Sequence, residues 1–145
     1  AEIHKRIMSY KYLEHSTDAF IEVKAKNLEE AFSVAGKSVV ETIIDLKNIQ
    51  EIEEKSVKVK GRNLLNLLYN WLEEIVTITI TDGFAIKKFS VNIKKNTEYE
   101  IVSKVSGEKL DLKKHNFKIE IKSPTFHLME IKENDEITMQ YLLDL

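Results

Sequence analysis

Apolar residues recur along this chain with two different periods, and the change of period marks out its elements. Between residues 19 and 25, Ala19, Ile21, Val23 and Ala25 share one parity while Glu22 and Lys24 take the other, which predicts a strand buried on one face. Asn27 then precedes Leu28, Ala31, Phe32, Ala35, Val39, Thr42, Ile43 and Leu46, spaced as one face of a helix. With Glu30 three positions after Asn27, the segment reads as an N-cap followed by a helix over about residues 28–45. A second amphipathic run begins at the Asn63 cap, places Leu64, Leu67, Leu68, Trp71, Leu72 and Ile75 on one face and ends near Val76. Between the helices, residues 56–60 (SVKVK) alternate as a short strand.

Beyond the second helix the alternation is of the strand type. Phe84 and Ile86 have one parity and Phe89, Val91 and Ile93 the other, so Lys87-Lys88 marks a bulge or a break between two strands. Further strands are expected near residues 98–105, 117–122, 125–131 and 137–143, with a hairpin turn at Glu133-Asn134-Asp135. Two helices and seven or eight strands without regular βαβ alternation predict an α+β fold, its amphipathic helices packed on a mixed, largely antiparallel sheet. No Pro/Gly/Ser-rich linker and no repeat interrupts the 145 residues, which read as a single domain over 1–145.

Composition narrows the chemistry. The absence of Cys removes disulfides, thiolate zinc sites, iron–sulfur clusters and a Cys nucleophile, leaving oxygen or imidazole as metal ligands. The N-terminal residues lack the apolar core of a signal peptide, and with no Cys this favours the cytoplasm. Net charge is -2, with 11 residues of each sign in 1–72 and 11 basic against 13 acidic in 73–145. Neither half is a basic arm, so the linear sequence carries no nucleic-acid footprint. There is no Gly-rich phosphate loop of the P-loop or dinucleotide type, and no H-x-x-x-H pair among His4, His15, His115 and His127.

Three places could carry chemistry. Glu14-His15-Ser16-Thr17-Asp18 packs hydrogen-bonding and cation-binding side chains into one loop before a strand, either to satisfy its own backbone or to hold an ion. At the other end, Asp144 lies next to Leu145, whose terminal carboxylate adds a second anion. Asp144, the Leu145 backbone oxygen and a loop carboxylate such as Asp18 would suit a hard cation such as Ca²⁺ or Mg²⁺. Asp45 falls in the last turn of the first helix, where the macrodipole disfavours an anion. Either Lys47 offsets it at the surface or it is aimed at a metal or partner. The segment from Gly107 to His115 reads as a solvated hairpin tip with a basic patch.

Taken in order, EHSTDAFIEVKAKNLEEAF, the helix ending in IIDL, GRNLLNLLYNWLEEI, GEKLDLKKH, IKSPTFHLMEI and the closing YLLDL resemble the archease family over essentially the whole chain. Each motif is weak alone, and their fixed order is what carries the resemblance. It implies a small cytosolic accessory factor of RtcB-type RNA ligases, which join RNA ends in tRNA splicing and repair. The partner ligase binds GTP, becomes guanylylated on a histidine with divalent metal and activates the RNA 3′-phosphate end. The archease-like chain would promote guanylylation and multiple turnover without being an enzyme, and would meet tRNA only through the ligase. The resemblance also implies a divalent metal (Ca²⁺, Mg²⁺ or Mn²⁺) held by Asp18, Asp144 and Leu145, with Asp45 in the same acidic patch and His15 and His127 in support. An imidazole there could orient a carboxylate without touching the metal. One departure is Ser123-Pro124, with Phe126 before His127, where the family usually has a small-apolar pair before Thr and a Tyr before His.

Two other classes compete with this reading. A metal-dependent phosphoester hydrolase would use Asp18 and Asp144 as ligands and His15 or His127 as base. A chaperone or modulator of a tRNA methyltransferase would bind tRNA by itself in a salt-dependent way.

Overall fold

The computed structural model describes residues 9–13 and 18–145. In chain order the elements are β1 (Ser9–Leu13), β2 (Asp18–Ala25), α1 (Leu28–Ile43), β3 (Glu53–Gly61), α2 (Leu64–Val76), β4 (Phe84–Lys95), β5 (Tyr99–Lys109), β6 (Ser123–Glu133) and β7 (Ile137–Asp144). The α+β class stands, with the strands divided into two sheets: β1-β2-β7-β6 and β3-β5-β4. Every strand pairing among the described residues is antiparallel.

Both helices start where an Asn side chain accepts the orphan amide three residues on. Asn27 Oδ1 accepts from Glu30 N–H at 2.9 Å, and Asn63 Oδ1 from Asn66 N–H at 2.8 Å. Each helix touches both sheets. One continuous core results, with Phe32, Ile43, Leu67, Trp71, Ile86, Ile101 and Tyr141 among its fully buried side chains. The indole Nε1–H of Trp71 donates to the Phe32 carbonyl at 2.8 Å and ties α2 to α1. Among the described residues, no helix is long and apolar enough to cross a membrane.

Several local expectations change. Helix α1 stops at Ile43, where the Ile44 amide caps onto the Val40 carbonyl in extended conformation, so Asp45 lies beyond the helix. The α-helical part of α2 ends at Val76, as its pattern predicts, but the chain goes on winding. Its β-branched continuation Thr77–Thr81 widens into a π-helical turn closed by Asp82 N–H on the Thr77 carbonyl, and Gly83, at φ 64°, releases the chain into β4. The parity flip at Lys87 is a bulge inside one strand, because the β4–β5 register slips between Ile86 and Lys88.

Residues 117–122 are not a strand. Their alternation is real, yet the Lys118 amide donates to the Ile43 carbonyl and Lys122 to that of Asp144, so the segment crosses between elements without joining a ladder. Phe117 and Ile119 stay exposed and only Ile121 is buried. Nor is the segment from Gly107 to His115 a solvated tip. His115 is fully buried, accepts from the Asp111 amide at Nδ1 and so donates from Nε2 to Glu108 Oε2 at 2.9 Å. Glu108 also takes the Gln50 amide and the Lys114 ammonium.

Candidate functional site

The β2–β7 ladder brings together two aspartates far apart in the chain. Asp18 opens β2, Asp144 closes β7, and the two are direct register partners at the last rung of the ladder. On the other side of β7, Ser123 of β6 pairs with Asp144. Ser123, Asp144 and Asp18 therefore stand abreast on neighbouring strands, each strand about 4.8 Å from the next.

These residues floor an open hollow of about 630 Å³ whose walls are Tyr69, residues 123–127 and Leu142. One wall is aromatic, with the rings of Tyr69 on α2 and Phe126 on β6 stacked at 4.4 Å and 11°. The other carries hydroxyls and an imidazole, from Thr125 and His127. The Thr125 hydroxyl also accepts the His127 amide at 3.1 Å.

A bulge in β6 makes this wall. The β6–β7 register steps from Thr125 opposite Leu142 to Glu130 opposite Gln140, so residues 126–129 face Tyr141 alone. The excess backbone loops outward. It puts Phe126, His127 and Leu128 on the surface, with Leu128 at φ 61° and its carbonyl held by the Gln140 side chain at 2.8 Å. Pro124 lies in β6, an edge strand of its sheet, just ahead of the bulge, the setting in which a sheet tolerates proline best.

Asp18, Asp144 and His127 thus share one hollow. Leu145 follows Asp144 directly and is half-buried against the core. His15 lies outside the described residues, as do Glu14, Ser16 and Thr17. Asp45 does not join this group. It lines a separate hollow with Lys37, Glu41, Leu46, Lys47 and Lys87, where Asn116 donates to its carboxylate at 2.9 Å and Lys118 approaches within 3.2 Å. The Asn116 and Lys118 hydrogen bonds hold its carboxyl below the usual carboxylate range, a structural ion pair in place of the expected patch residue. Lys47 contributes only weakly.

The donor set around Asp18 and Asp144 is made of carboxylate, hydroxyl and main-chain oxygens, the chemistry that hard divalent cations take. Among the described residues no three His, Asp or Glu side chains converge tightly enough to enclose an ion by themselves. A cation there would draw on the two aspartates, backbone oxygens and water.

Sequence reasoning missed Tyr69 and the outward loop of β6. A signal for the first was present: the half-buried Tyr69 falls off the stripe of α2 formed by Leu64, Leu67, Leu68, Trp71, Leu72 and Ile75, beside the exposed Leu65.

Comparison with known proteins agrees with this architecture. Residues 10–145 match the model of the Archease protein family (MTH1598/TM1083). A protein archease from Pyrococcus abyssi is 35% identical over 125 residues, covering 86% of this chain and 88% of the relative. One from Methanosarcina barkeri is 34% identical over 139 residues, covering 94% and 95%. The solution structure of Methanobacterium thermoautotrophicum protein 1598 superposes with a TM-score of 0.81 at 30% identity, over 94% of this chain and 99% of that one. The crystal structure of an archease from Thermotoga maritima, described as a possible chaperone, shares the fold with a TM-score of 0.60 at 20% identity, over 99% and 100%. With its whole described core inside the matched span, this chain belongs to the archease family.

Proposed function

We propose that the protein is a non-enzymatic activator of an RtcB-type RNA ligase, acting on the GTP- and metal-dependent guanylylation of the ligase histidine in tRNA splicing and RNA repair. The observation that carries this reading is the pairing of Asp18 with Asp144 at the open rim of a sheet, in a chain of the archease family. Two carboxylates on adjacent strands repel each other, and a divalent cation relieves the repulsion while leaving positive charge for phosphate oxygens. Asp18, Asp144 and the Leu145 backbone oxygen would hold that cation. The hollow is wide and shallow, so a group presented by a larger partner can reach its floor. The exposed Phe126 and Leu128 beside it offer apolar area for a protein contact. His127 sits on the same rim and would orient a carboxylate or a bound water.

Single-turnover guanylylation of a cognate ligase tests the reading, with GTP and Mn²⁺, in the absence of this protein and in the presence of the native chain or folded Asp18→Asn and Asp144→Asn variants. Acceleration by the native chain that both variants lose is the expected result. No acceleration of a competent ligase overturns it. Phosphoester hydrolysis by the isolated protein, lost in the same variants, would support the hydrolase alternative instead. The description of the Thermotoga maritima relative as a possible chaperone makes suppression of a client's aggregation the third activity to measure.

A further inference from the structure

The second sheet presents an open face that neither helix covers. Directly opposed residues of an antiparallel ladder project to the same side, so the register of β3, β5 and β4 defines that face row by row. Lys60, Glu100 and Lys94 stand abreast, then Lys58, Val102 and Asn92, then Ser56, Lys104 and Ser90, then Glu54, Ser106 and Lys88. The opposite face carries Val57, Val59, Ile101, Val105, Val91 and Ile93, and these pack into the core.

Five lysines therefore share a flat surface with two glutamates, and all five are exposed. Lys104 is paired with Glu54 at 3.6 Å. Among the described residues, no carboxylate lies at ion-pair distance from Lys58, Lys60, Lys88 or Lys94. The rest of the face is serine, asparagine and a single valine, so it has hydrogen-bonding groups but neither an apolar anchor nor an aromatic ring. The rows run about 20 Å along the strands and about 10 Å across them.

We propose that this face binds the phosphate backbone of a folded RNA. A chain with a net charge of -2 gathers a local excess of positive charge here, and complementarity to a polyanion follows from that segregation. The lack of any ring for base stacking favours structured, backbone-displaying RNA over a splayed single strand. The lack of apolar wedges argues against insertion into a lipid surface. The proposal goes beyond the activator reading, because the face lies on the other sheet from Asp18 and Asp144 and would contact RNA directly.

Anisotropy of a labelled, folded transfer-RNA transcript tests it, titrated with the full chain from 50 to 200 mM salt. Binding is expected with a log–log salt slope of about -4, at about 0.9 per phosphate neutralised. The exposed triple variant Lys58→Gln/Lys60→Gln/Lys94→Gln, with unchanged circular dichroism and melting temperature, should weaken binding at least about tenfold and flatten the slope by about 2 to 3. Glu54→Gln/Glu100→Gln should tighten it, and Asp18→Asn/Asp144→Asn should leave it unchanged. No RNA binding at 50 mM salt overturns the proposal, as does binding that the triple variant keeps. Capture by phosphatidylserine vesicles with no capture of RNA overturns it in favour of a membrane surface. The aspartate variants separate this test from the activator reading, because each property can fail while the other holds.

Discussion

Asp18 and Asp144, 126 positions apart in the chain, are opposed on adjacent strands at the end of the β2–β7 ladder. Like charges at such a position destabilise a sheet by a few tenths of a kcal/mol up to about 1 kcal/mol. Asp144→Asn should therefore raise stability in chelator by about 0.5 kcal/mol. In millimolar Mn²⁺ or Ca²⁺ the order should reverse, with the native chain gaining melting temperature and the variant not. Thermal melts with and without EDTA check both halves. A native chain indifferent to every divalent cation would remove the metal from the proposed mechanism.

The buried hydroxyl pair Ser38 and Tyr141 gives an asymmetric prediction. Ser38 Oγ donates to the Ala35 carbonyl at 2.7 Å, so the Tyr141 hydroxyl is the donor in the 2.6 Å bond between them. Burial, opposed by the Ser38 hydrogen bond, pushes the Tyr141 phenol well above its ordinary value. Tyr141→Phe removes one bond and leaves Ser38 paired, at a cost of about 1 kcal/mol. Ser38→Ala strands a buried phenol and should cost more, about 1–3 kcal/mol. Denaturant midpoints of the two variants decide it, and equal losses would contradict the assigned donor.

Acid should loosen the connection that leads from β5 towards the candidate site. The His115 hydrogen bond first, then the Gln50 amide and Lys114, hold the Glu108 carboxyl down at about 2, against 4.5 in the unfolded chain. Above about 4.5 the carboxylate is ionised in both states and its stabilisation is complete. As pH falls towards 2 the unfolded chain takes up the proton first, and the stabilisation is lost. The stability gap between the native chain and Glu108→Gln should therefore be widest near pH 6 and shrink steadily below pH 4.5. Urea titrations across that range measure it, and a gap independent of pH would contradict the assigned charge network.

Gly107 occupies the rung beside the β4 bulge, where a Cβ would collide with the Ala85 carbonyl oxygen. The obstruction is backbone and cannot rotate away. Gly107→Ala should cost at least about 2 kcal/mol or move the bulge. Thermal melting reads the first outcome and amide exchange along β4 the second. A variant as stable as the native chain would show that the bulge yields freely.

Much of the candidate site was legible only as residue types. The loop ending in Asp18 and the closing Asp144 stood out by chemistry, and family resemblance joined them. Asp45 looked like a third member because a carboxylate at a helix end is awkward. In the structure the helix stops two residues earlier, and Asn116 and Lys118, brought from residues 71 and 73 positions away, meet the charge. The Tyr69–Phe126 wall was not legible, since the stack requires α2 and an outward loop of β6 to meet.

Short-range periodicity determined the elements themselves. The Asn27 and Asn63 caps, the alternation of β2 and β7 and the parity flip at Lys87 are set by neighbours within a few residues, where sterics and hydrogen bonding act without knowledge of the fold. Periodicity does not say whether an alternating segment finds a partner. Residues 117–122 alternate as well as any strand, yet the Lys118 and Lys122 amides are claimed by the carbonyls of Ile43 and Asp144. Register, the division into two sheets, the opposition of Asp18 to Asp144 and the gathering of lysines on β3, β5 and β4 were decided by tertiary structure alone. They depend on which distant apolar faces bury one another, and a charge balance that is even along the chain becomes uneven once those faces have met.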